Sequence, residues 1–202
     1  CSMPRKNRRL PRHLLVIRNS AMGDVAMLPH ALRALRSAYP DLRITVATRE
    51  LFRPFFDGLG VELLALDPKG RHKGIGGLLR FAREARALGV DAVADAHDVL
   101  RSQVIRTALR LHGLRVAVID KGRKEKRRRL GACPPGAPPL RHTVQRYCDV
   151  FRRLGFVFPD PEPAPPARRP NPLGEKRGRW VGFAPFSAHP GKTYPFGPSE
   201  RL

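Results

Sequence analysis

Apolar residues in the first 120 positions follow two alternating patterns. Short unbroken apolar runs, of which residues 14–17 are the clearest, are typical of strands covered on both faces of a sheet. Between these runs lie longer segments, such as residues 75–88, whose apolar positions recur near a period of 3.6 and predict helices. The predicted strands are residues 13–18, 43–48, 61–67, 91–96 and 115–120, and the predicted helices are residues 25–38, 51–59, 75–88, 99–111 and 143–154.

The regular alternation of strand and helix predicts an α/β protein with a doubly wound parallel sheet. A loop rich in basic residues, Pro and Gly is predicted for residues 121–140. Beyond Phe158 the pattern changes, because seven prolines precede a new apolar strand at residues 180–184. We therefore expect a basic tail, a first α/β domain, an interdomain linker and the start of a truncated second domain, at residues 1–12, 13–158, 159–179 and 180–202 respectively.

The chain is strongly basic, with 39 Lys and Arg against 17 Asp and Glu and a net charge of +22. Basic residues concentrate in two clusters, residues 5–12 and residues 121–129, which attract the phosphates of nucleic acid, anionic lipid or a phosphorylated substrate without choosing among them. Aromatic residues make up 7% of the chain and do not interleave with these clusters, so a stacking platform for single strands is poorly supported. Three widely spaced cysteines suit a reducing cytosol.

Three familiar site patterns are excluded by their spacing. The run that starts at Gly74 resembles a dinucleotide fingerprint, but its sixth position is Leu79 and it does not emerge from a strand. The triplet 191–193 lacks the first glycine of a P-loop, because position 186 is Phe. The seven histidines show no metal-ligand spacing, so the sequence predicts neither a metal site nor a cofactor.

Asp24 is the most informative residue of the chain. It follows the apolar strand through a short Ser/Gly loop and stands at the start of a predicted helix, at the edge of the sheet where ligands bind in parallel α/β proteins. A lone carboxylate there, beside a glycine that lets a substrate come close, is a candidate general base. Asp is also a favoured helix N-cap, and the segment by itself favours that interpretation.

Five segments, in this order along the chain, resemble glycosyltransferase family 9, the heptosyltransferase-like enzymes of lipopolysaccharide core assembly. The first is Leu15-Val-Ile-Arg-Asn-Ser-Ala-Met-Gly-Asp24, and the others are residues 95–102, 118–126, 142–147 and 184–192. His97 stands where better-known members often have Gln, and residues 185–192 have the form of a subgroup. These departures bear on the sugar and the acceptor rather than on the fold.

The resemblance implies a GT-B architecture of two Rossmann-like domains, the first for the acceptor and the second for the nucleotide-sugar donor. It implies inverting, metal-independent transfer from a donor such as ADP-heptose to a lipopolysaccharide core or lipid A-type acceptor, in the bacterial cytoplasm. It makes Asp24 the base, which a helix N-terminus would keep ionised, and assigns Lys192 and Ser187 to the donor phosphate. With the family in view, catalysis is favoured over capping for Asp24.

The remaining candidate residues follow the first and fourth predicted strands. Ser20 and Gly23 could bring backbone donors and space to substrate phosphates, or could simply form a tight turn. His97 stands at the carboxyl end of the fourth strand, where a structural role is the alternative. Arg101 and Ser102 open the next helix and are expected to face the same crevice, with a solvated helix face as the alternative.

Two other classes of function stay open from the sequence. The charge fits a nucleic-acid-binding module on a Rossmann-like scaffold, although no base-reading element supports it. Alternatively, the 202-residue product is a fragment without activity, which is what we expect of the chain taken by itself. The basic loop at residues 121–129 would lie against the anionic inner leaflet, which would make the enzyme peripheral to the membrane.

Overall fold

A computed structural model of the chain describes residues 9–131 and 139–162, together with positions 174, 175, 178–180, 182, 191 and 193. The chain divides into two units, residues 1–163 and 164–202, and the described helices and strands belong to the first. The domain boundaries given above stay predictions. The expected second-domain strand at residues 180–184 falls mostly outside the described residues.

The first unit alternates strand and helix as the apolar pattern predicts. Among the described residues, no helix combines the length and the apolar character that crossing a lipid bilayer requires. The strands are β1 (His13–Ile17), β2 (Arg43–Thr48), β3 (Glu62–Ala65), β4 (Ala92–Asp95) and β5 (Arg115–Val118). The helices are α1 (Met22–Ala38), α2 (Gly74–Ala87), α3 (Leu100–Leu111), α4 (Arg123–Gly131) and α5 (Thr143–Arg153), with a 3₁₀ helix at Glu50–Phe56.

The five strands form one parallel sheet in the order β3-β2-β1-β4-β5. The predicted doubly wound parallel sheet is therefore confirmed. The chain moves outward from β1 to β3, returns to pair β4 with the other side of β1, and then continues to β5. In this topology ligands bind beyond the carboxyl ends of the strands at the point where the order reverses, which here lies between β1 and β4.

Alternate side chains of the strands enter two cores, one on each face of the sheet. Leu14 and Val16 of β1 pack on the face covered by α1 and α5, whereas Leu15 and Ile17 pack on the face covered by α2 and α3. All four side chains are fully buried. This double coverage explains why β1 is apolar without interruption.

Several predicted bounds differ from the structure, and the helix predicted at residues 51–59 is the 3₁₀ helix Glu50–Phe56. Two of the differences concern the candidate site. Helix α1 begins at Met22, three residues before its predicted start, with Ala21 as its N-cap. Asp24 therefore lies inside the first turn, and its interpretation as the N-cap was wrong. The second difference is α4, a helix within the segment predicted to be a loop. It is polar on all sides, so no apolar period could reveal it.

Candidate functional site

A cleft of about 600 Å³ lies at the carboxyl edge of the sheet, beside the β1/β4 reversal. Its lining residues come from the loops after β1, β4 and β5, from the first turn of α1, from α4, and from the start of α5 with the residues just before it. They are Arg18, Ser20, Ala21, Asp24, His97, Val99, Ile119, Lys121, Lys126, Leu140, Arg141, His142, Thr143, Arg146 and Tyr147. Among these described residues five are Lys or Arg and Asp24 is the only acid, so the cleft is electropositive even though Arg141 and Arg146 pair with Asp149 and Glu125.

Asp24 is held by an ion pair with Arg18, the residue that directly follows β1. The Asp24 carboxylate is 46% exposed, whereas the Arg18 side chain is only 8% exposed. The Arg18 guanidinium also donates a hydrogen bond of 2.7 Å from Nη1 to the carbonyl oxygen of Ala96, at the end of β4. A buried cation that is anchored to the sheet thus fixes an accessible carboxylate at the cleft.

The floor of the cleft is organised by Asp95, the last residue of β4, whose side chain is fully buried. Its Oδ1 accepts hydrogen bonds from the backbone N–H groups of His97 (2.9 Å) and Asp98 (2.8 Å). Its Oδ2 accepts a hydrogen bond of 2.7 Å from Arg106, which also contacts Asp98. Asp95 therefore shapes the β4–α3 loop from below and does not line the cleft.

Ser20 and His97 meet across the β1/β4 reversal, where Oγ of Ser20 lies 3.1 Å from Nε2 of His97. Burial lowers the pKa of His97 to about 4, and the nearby Arg18 charge acts in the same direction. The imidazole is consequently neutral over the range in which most enzymes work. It serves as a hydrogen-bonding partner for Ser20, and its low pKa makes it a poor proton acceptor.

His97 should make the stability of the fold depend on pH. An unfolded histidine takes up a proton near pH 6.5, whereas folded His97 does so only near pH 4. Unfolding is therefore increasingly favoured as the pH falls from 6.5 toward 4, and the effect is absent above 6.5. The wild-type protein should lose about 1–2 kcal/mol of unfolding free energy to this effect, after allowance for solvent screening. His97→Gln has no imidazole at this position and should not show that loss. Urea denaturation of both proteins across this pH range measures it, and parallel profiles would contradict the assignment.

The basic wall of the cleft is fixed by Arg146 of α5. Its guanidinium donates hydrogen bonds to the carbonyl oxygens of Asp120 (3.2 Å) and Arg141 (3.1 Å), and to the Glu125 carboxylate of α4 (2.6 Å). These contacts lower the pKa of Glu125, chiefly through the hydrogen bond from Arg146. The guanidinium also leaves no room for a side chain at Gly122, where a Cβ would lie 2.4 Å from it.

Lys121 approaches the site from the end of β5 and donates a hydrogen bond of 2.8 Å to the carbonyl oxygen of Asp98. Asp98 adopts a left-handed backbone conformation (φ 46°), which Asp tolerates better than most residues. Burial lowers the pKa of Lys121, and the Asp98 carboxylate opposes this effect. Lys121 therefore joins the β4 and β5 loops across the cleft floor.

The structure brings together three of the residues singled out from the sequence, namely Ser20, Asp24 and His97. Gly23 directly precedes Asp24 but does not line the cleft, and a Cβ added there would meet nothing within 4 Å outside its own helix backbone. Arg101 and Ser102 do not line the cleft, since Arg101 is exposed elsewhere and Oγ of the buried Ser102 hydrogen-bonds the backbone of Val99. Ser187 and Lys192 lie outside the described residues.

Several lining residues were not predicted as part of this site. Arg18 and Lys121 could have been found, because each is a cation shortly after an apolar strand whose carboxyl end faces the same edge. Arg146 and Tyr147 stand in one of the five segments that resemble the family, but no local pattern places them at the cleft, because α5 reaches it through packing against α1 and the sheet.

No protein-family model matches the chain, and no curated protein matches it. Solved structures do match. A glycosyl transferase family 9 structure from Veillonella parvula DSM 2008 has 24% identity and a TM-score of 0.55, over 72% of this chain and 42% of that chain. E. coli heptosyltransferase WaaC with ADP-2-deoxy-2-fluoro heptose has 19% identity and a TM-score of 0.54, over 74% and 50%. The same enzyme with ADP has 22% identity and a TM-score of 0.52, over 74% and 49%.

These structures bear on the fold and on the length of the chain. The expected α/β class, with a Rossmann-like parallel sheet as in GT-B enzymes, is confirmed, and so is the resemblance to family 9 at the level of the fold. This chain spans half or less of the length of these three structures.

Proposed function

We propose that the chain is the acceptor-side domain of an inverting glycosyltransferase of the family 9 type. The reaction is the transfer of a heptose or related sugar from a nucleotide-diphosphate sugar, such as ADP-heptose, to a lipopolysaccharide core or lipid A-type acceptor. The observation that carries the proposal is the Arg18–Asp24 pair, which holds an accessible carboxylate in an electropositive cleft at the β1/β4 reversal. The fold shared with WaaC structures that contain ADP or an ADP-heptose analogue supports the choice of donor.

Asp24 acts as the general base in this mechanism. As the acceptor hydroxyl oxygen bonds to the anomeric carbon, its proton passes to Asp24. The bond from that carbon to the donor diphosphate breaks, and its electron pair leaves with the diphosphate. Attack from the opposite face inverts the configuration, and general-base assistance of this kind contributes about 10²–10⁴ to the rate.

The cations of the cleft recognise the negative charge of the substrates. Lys121, Lys126 and Arg141 line the cleft together with Arg18, whose buried Nε has no hydrogen-bond partner among the described residues. A phosphate or carboxylate oxygen of the acceptor accepts hydrogen bonds from these lysine and arginine side chains. The donor diphosphate is assigned, on the resemblance alone, to Lys192 and Ser187.

Helix α4 is proposed as the contact with an anionic membrane surface. It exposes Arg123, Lys124, Lys126 and Arg127 beside the cleft. Such clusters bind anionic lipid surfaces with about 1 kcal/mol per basic residue near the surface. Co-sedimentation with vesicles containing anionic lipid tests this, and we expect binding that Lys124→Glu together with Arg127→Glu weakens at least tenfold. Equal binding by that variant would contradict the assignment.

The whole reaction requires the donor-binding half. Sequencing of the coding DNA beyond codon 202 should find a frame that continues for about 130–170 residues with further strand–helix units. The protein encoded by that frame is then assayed for transfer from ADP-heptose to heptose-deficient lipopolysaccharide. Absence of transfer to any anionic sugar acceptor would overturn the proposal.

Gly23 offers a test that separates substrate approach from folding. The Cβ of Gly23→Ala would meet no protein atom within 4 Å outside its own helix backbone, and alanine suits a helix better than glycine by up to about 1 kcal/mol. We therefore expect unchanged or higher stability but a transfer rate at least about tenfold lower, because the proposed function has the acceptor approach Asp24 over Gly23, where a methyl group would obstruct it. Gly76→Ala, in the first turn of α2, is the matched control, since a Cβ there also meets nothing. Equal transfer rates for both variants would show that Gly23 serves only the turn.

A further inference from the structure

The Asp24 side chain is paired with Arg18, but the backbone at the start of α1 has no side-chain cap. Its N-cap is Ala21, which supplies no side-chain hydrogen bond, and Gly23 contributes no side-chain contact. Helix ends without caps fray readily, since their first N–H groups lack partners. A carboxylate that must meet an acceptor hydroxyl within a few tenths of an ångström therefore needs support from elsewhere in the fold.

That support comes from Tyr147 of α5, which is 123 residues further along the chain. Its hydroxyl donates a hydrogen bond of 3.0 Å to the backbone carbonyl oxygen of Asp24. Its ring lies under the Arg18 guanidinium, with Cζ of Arg18 5.8 Å from the ring centroid. Tyr147 is fully buried, and it thus contacts both the backbone of Asp24 and the partner of its carboxylate.

Both groups that contact Asp24 are themselves anchored in the fold. Arg18 is tied to the end of β4 through Ala96, and the α5 helix that carries Tyr147 packs Val150 and Phe151 into the core. Burial also raises the pKa of Tyr147 to about 12, so the phenol remains a neutral donor wherever the enzyme works. Asp24 is consequently connected to β4 through Arg18 and to α5 through Tyr147.

We infer that Tyr147 is a positioning residue for the general base: through the Asp24 carbonyl and the Arg18 guanidinium it sets where the Asp24 carboxylate lies. Although it borders the cleft, its side chain is fully buried, so it acts through these two groups and not on the substrate. The inference rests on the proposed function of Asp24. If Tyr147 positions the base, the rate of catalysis depends on helix α5, which the proposed function alone does not require.

The chain contains a matched control for the loss of one hydroxyl group. Tyr39 also hydrogen-bonds the backbone, because its oxygen donates to the carbonyl oxygen of Val157 (3.2 Å) and accepts from the Val157 N–H (2.9 Å). It lies at the end of α1 remote from Asp24 and does not line the cleft. Both variants therefore remove one hydroxyl group that contacts a backbone carbonyl. Tyr147→Phe removes it at the start of α1, and Tyr39→Phe removes it at the end of α1.

The first measurement needs no activity and uses the 202-residue chain. The Val25 N–H donates to the Ala21 carbonyl oxygen (2.9 Å) and reports on the first turn of α1. Its hydrogen exchange, followed by NMR, should be about three to ten times faster in Tyr147→Phe than in wild type, and unchanged in Tyr39→Phe. Unchanged exchange in Tyr147→Phe would overturn the inference, whatever the chemistry of the site.

The second measurement separates positioning from stability in the complete enzyme. Tyr147→Phe should lower kcat by about tenfold and leave both KM values within about twofold, whereas Tyr39→Phe should change neither. Arg18→Lys, which keeps the charge but loses the fork that joins Ala96 to Asp24, should lower kcat similarly even if Tyr147→Phe fails to fold. Wild-type kcat in Tyr147→Phe would refute the positioning role, while full activity of Asp24→Asn would instead refute the proposed function.

Discussion

Asp24→Asn should lower the kcat of sugar transfer by about 10²–10⁴ and leave the KM values for donor and acceptor nearly unchanged. The amide has the shape of the carboxylate, but it cannot take the proton of the acceptor hydroxyl as the new glycosidic bond forms. Steady-state transfer by the complete enzyme, measured at several acceptor concentrations, gives both constants. The loss should fall on kcat, because proton removal matters only as the transition state is reached.

The control for Asp24→Asn must also remove a carboxylate from an ion pair with arginine. Glu50→Gln does so, since Glu50 pairs with Arg53 on the exposed 3₁₀ helix and does not line the cleft. We expect wild-type transfer from Glu50→Gln. The unfolding free energy of Asp24→Asn must be measured as well, because the buried Arg18 loses its carboxylate partner. A folded Asp24→Asn protein that retains most of the wild-type rate would exclude Asp24 as the base.

The sheet and the order of its elements could be predicted because their signals are local. The apolar run of β1 and the 3.6 period of α2 each follow from short-range patterns, and their predicted bounds differ from the structure by one residue. The start of α1 was less certain by nature, since Asp is favoured both at the N-cap and within the first turn. Only the structure, in which Ala21 is the N-cap, separates the two.

The parts of the site that escaped prediction depend on contacts between distant segments. Helix α4 has no apolar face, and its Glu125 pairs with Arg146, 21 residues away. Ser20, Asp24 and His97 could be expected to meet, because the carboxyl ends of neighbouring parallel strands share an edge. By the same argument we expected Ser102 to face the crevice. It lies at that edge of the sheet, but its hydroxyl group hydrogen-bonds the backbone of Val99.

Asp95→Asn should lower the unfolding free energy by about 3 kcal/mol, the largest stability effect that we expect from a single amide substitution in this chain. The carboxylate is fully buried and accepts from two backbone N–H groups and from Arg106, which is itself only 18% exposed. An amide keeps one acceptor oxygen, but its NH₂ group would face the Arg106 guanidinium, donor against donor. The buried cation then loses its best partner, and urea denaturation followed by circular dichroism measures the loss.

Asp98→Asn provides the comparison, because Asp98 pairs with the same Arg106 but is 22% exposed. Asparagine also tolerates the left-handed backbone conformation of this residue (φ 46°), so we expect a loss of less than about 1 kcal/mol. Equal decreases in unfolding free energy in the two variants would mean that the lost pairing with Arg106, and not the burial of Asp95, determines the size of the effect. If Asp95→Asn is the more destabilised, transfer should fall with it, because Asp95 fixes the backbone of His97 and Asp98. The carbonyl oxygen of Asp98 in turn receives Lys121, so a residue that lies below the cleft determines the position of a cation within it.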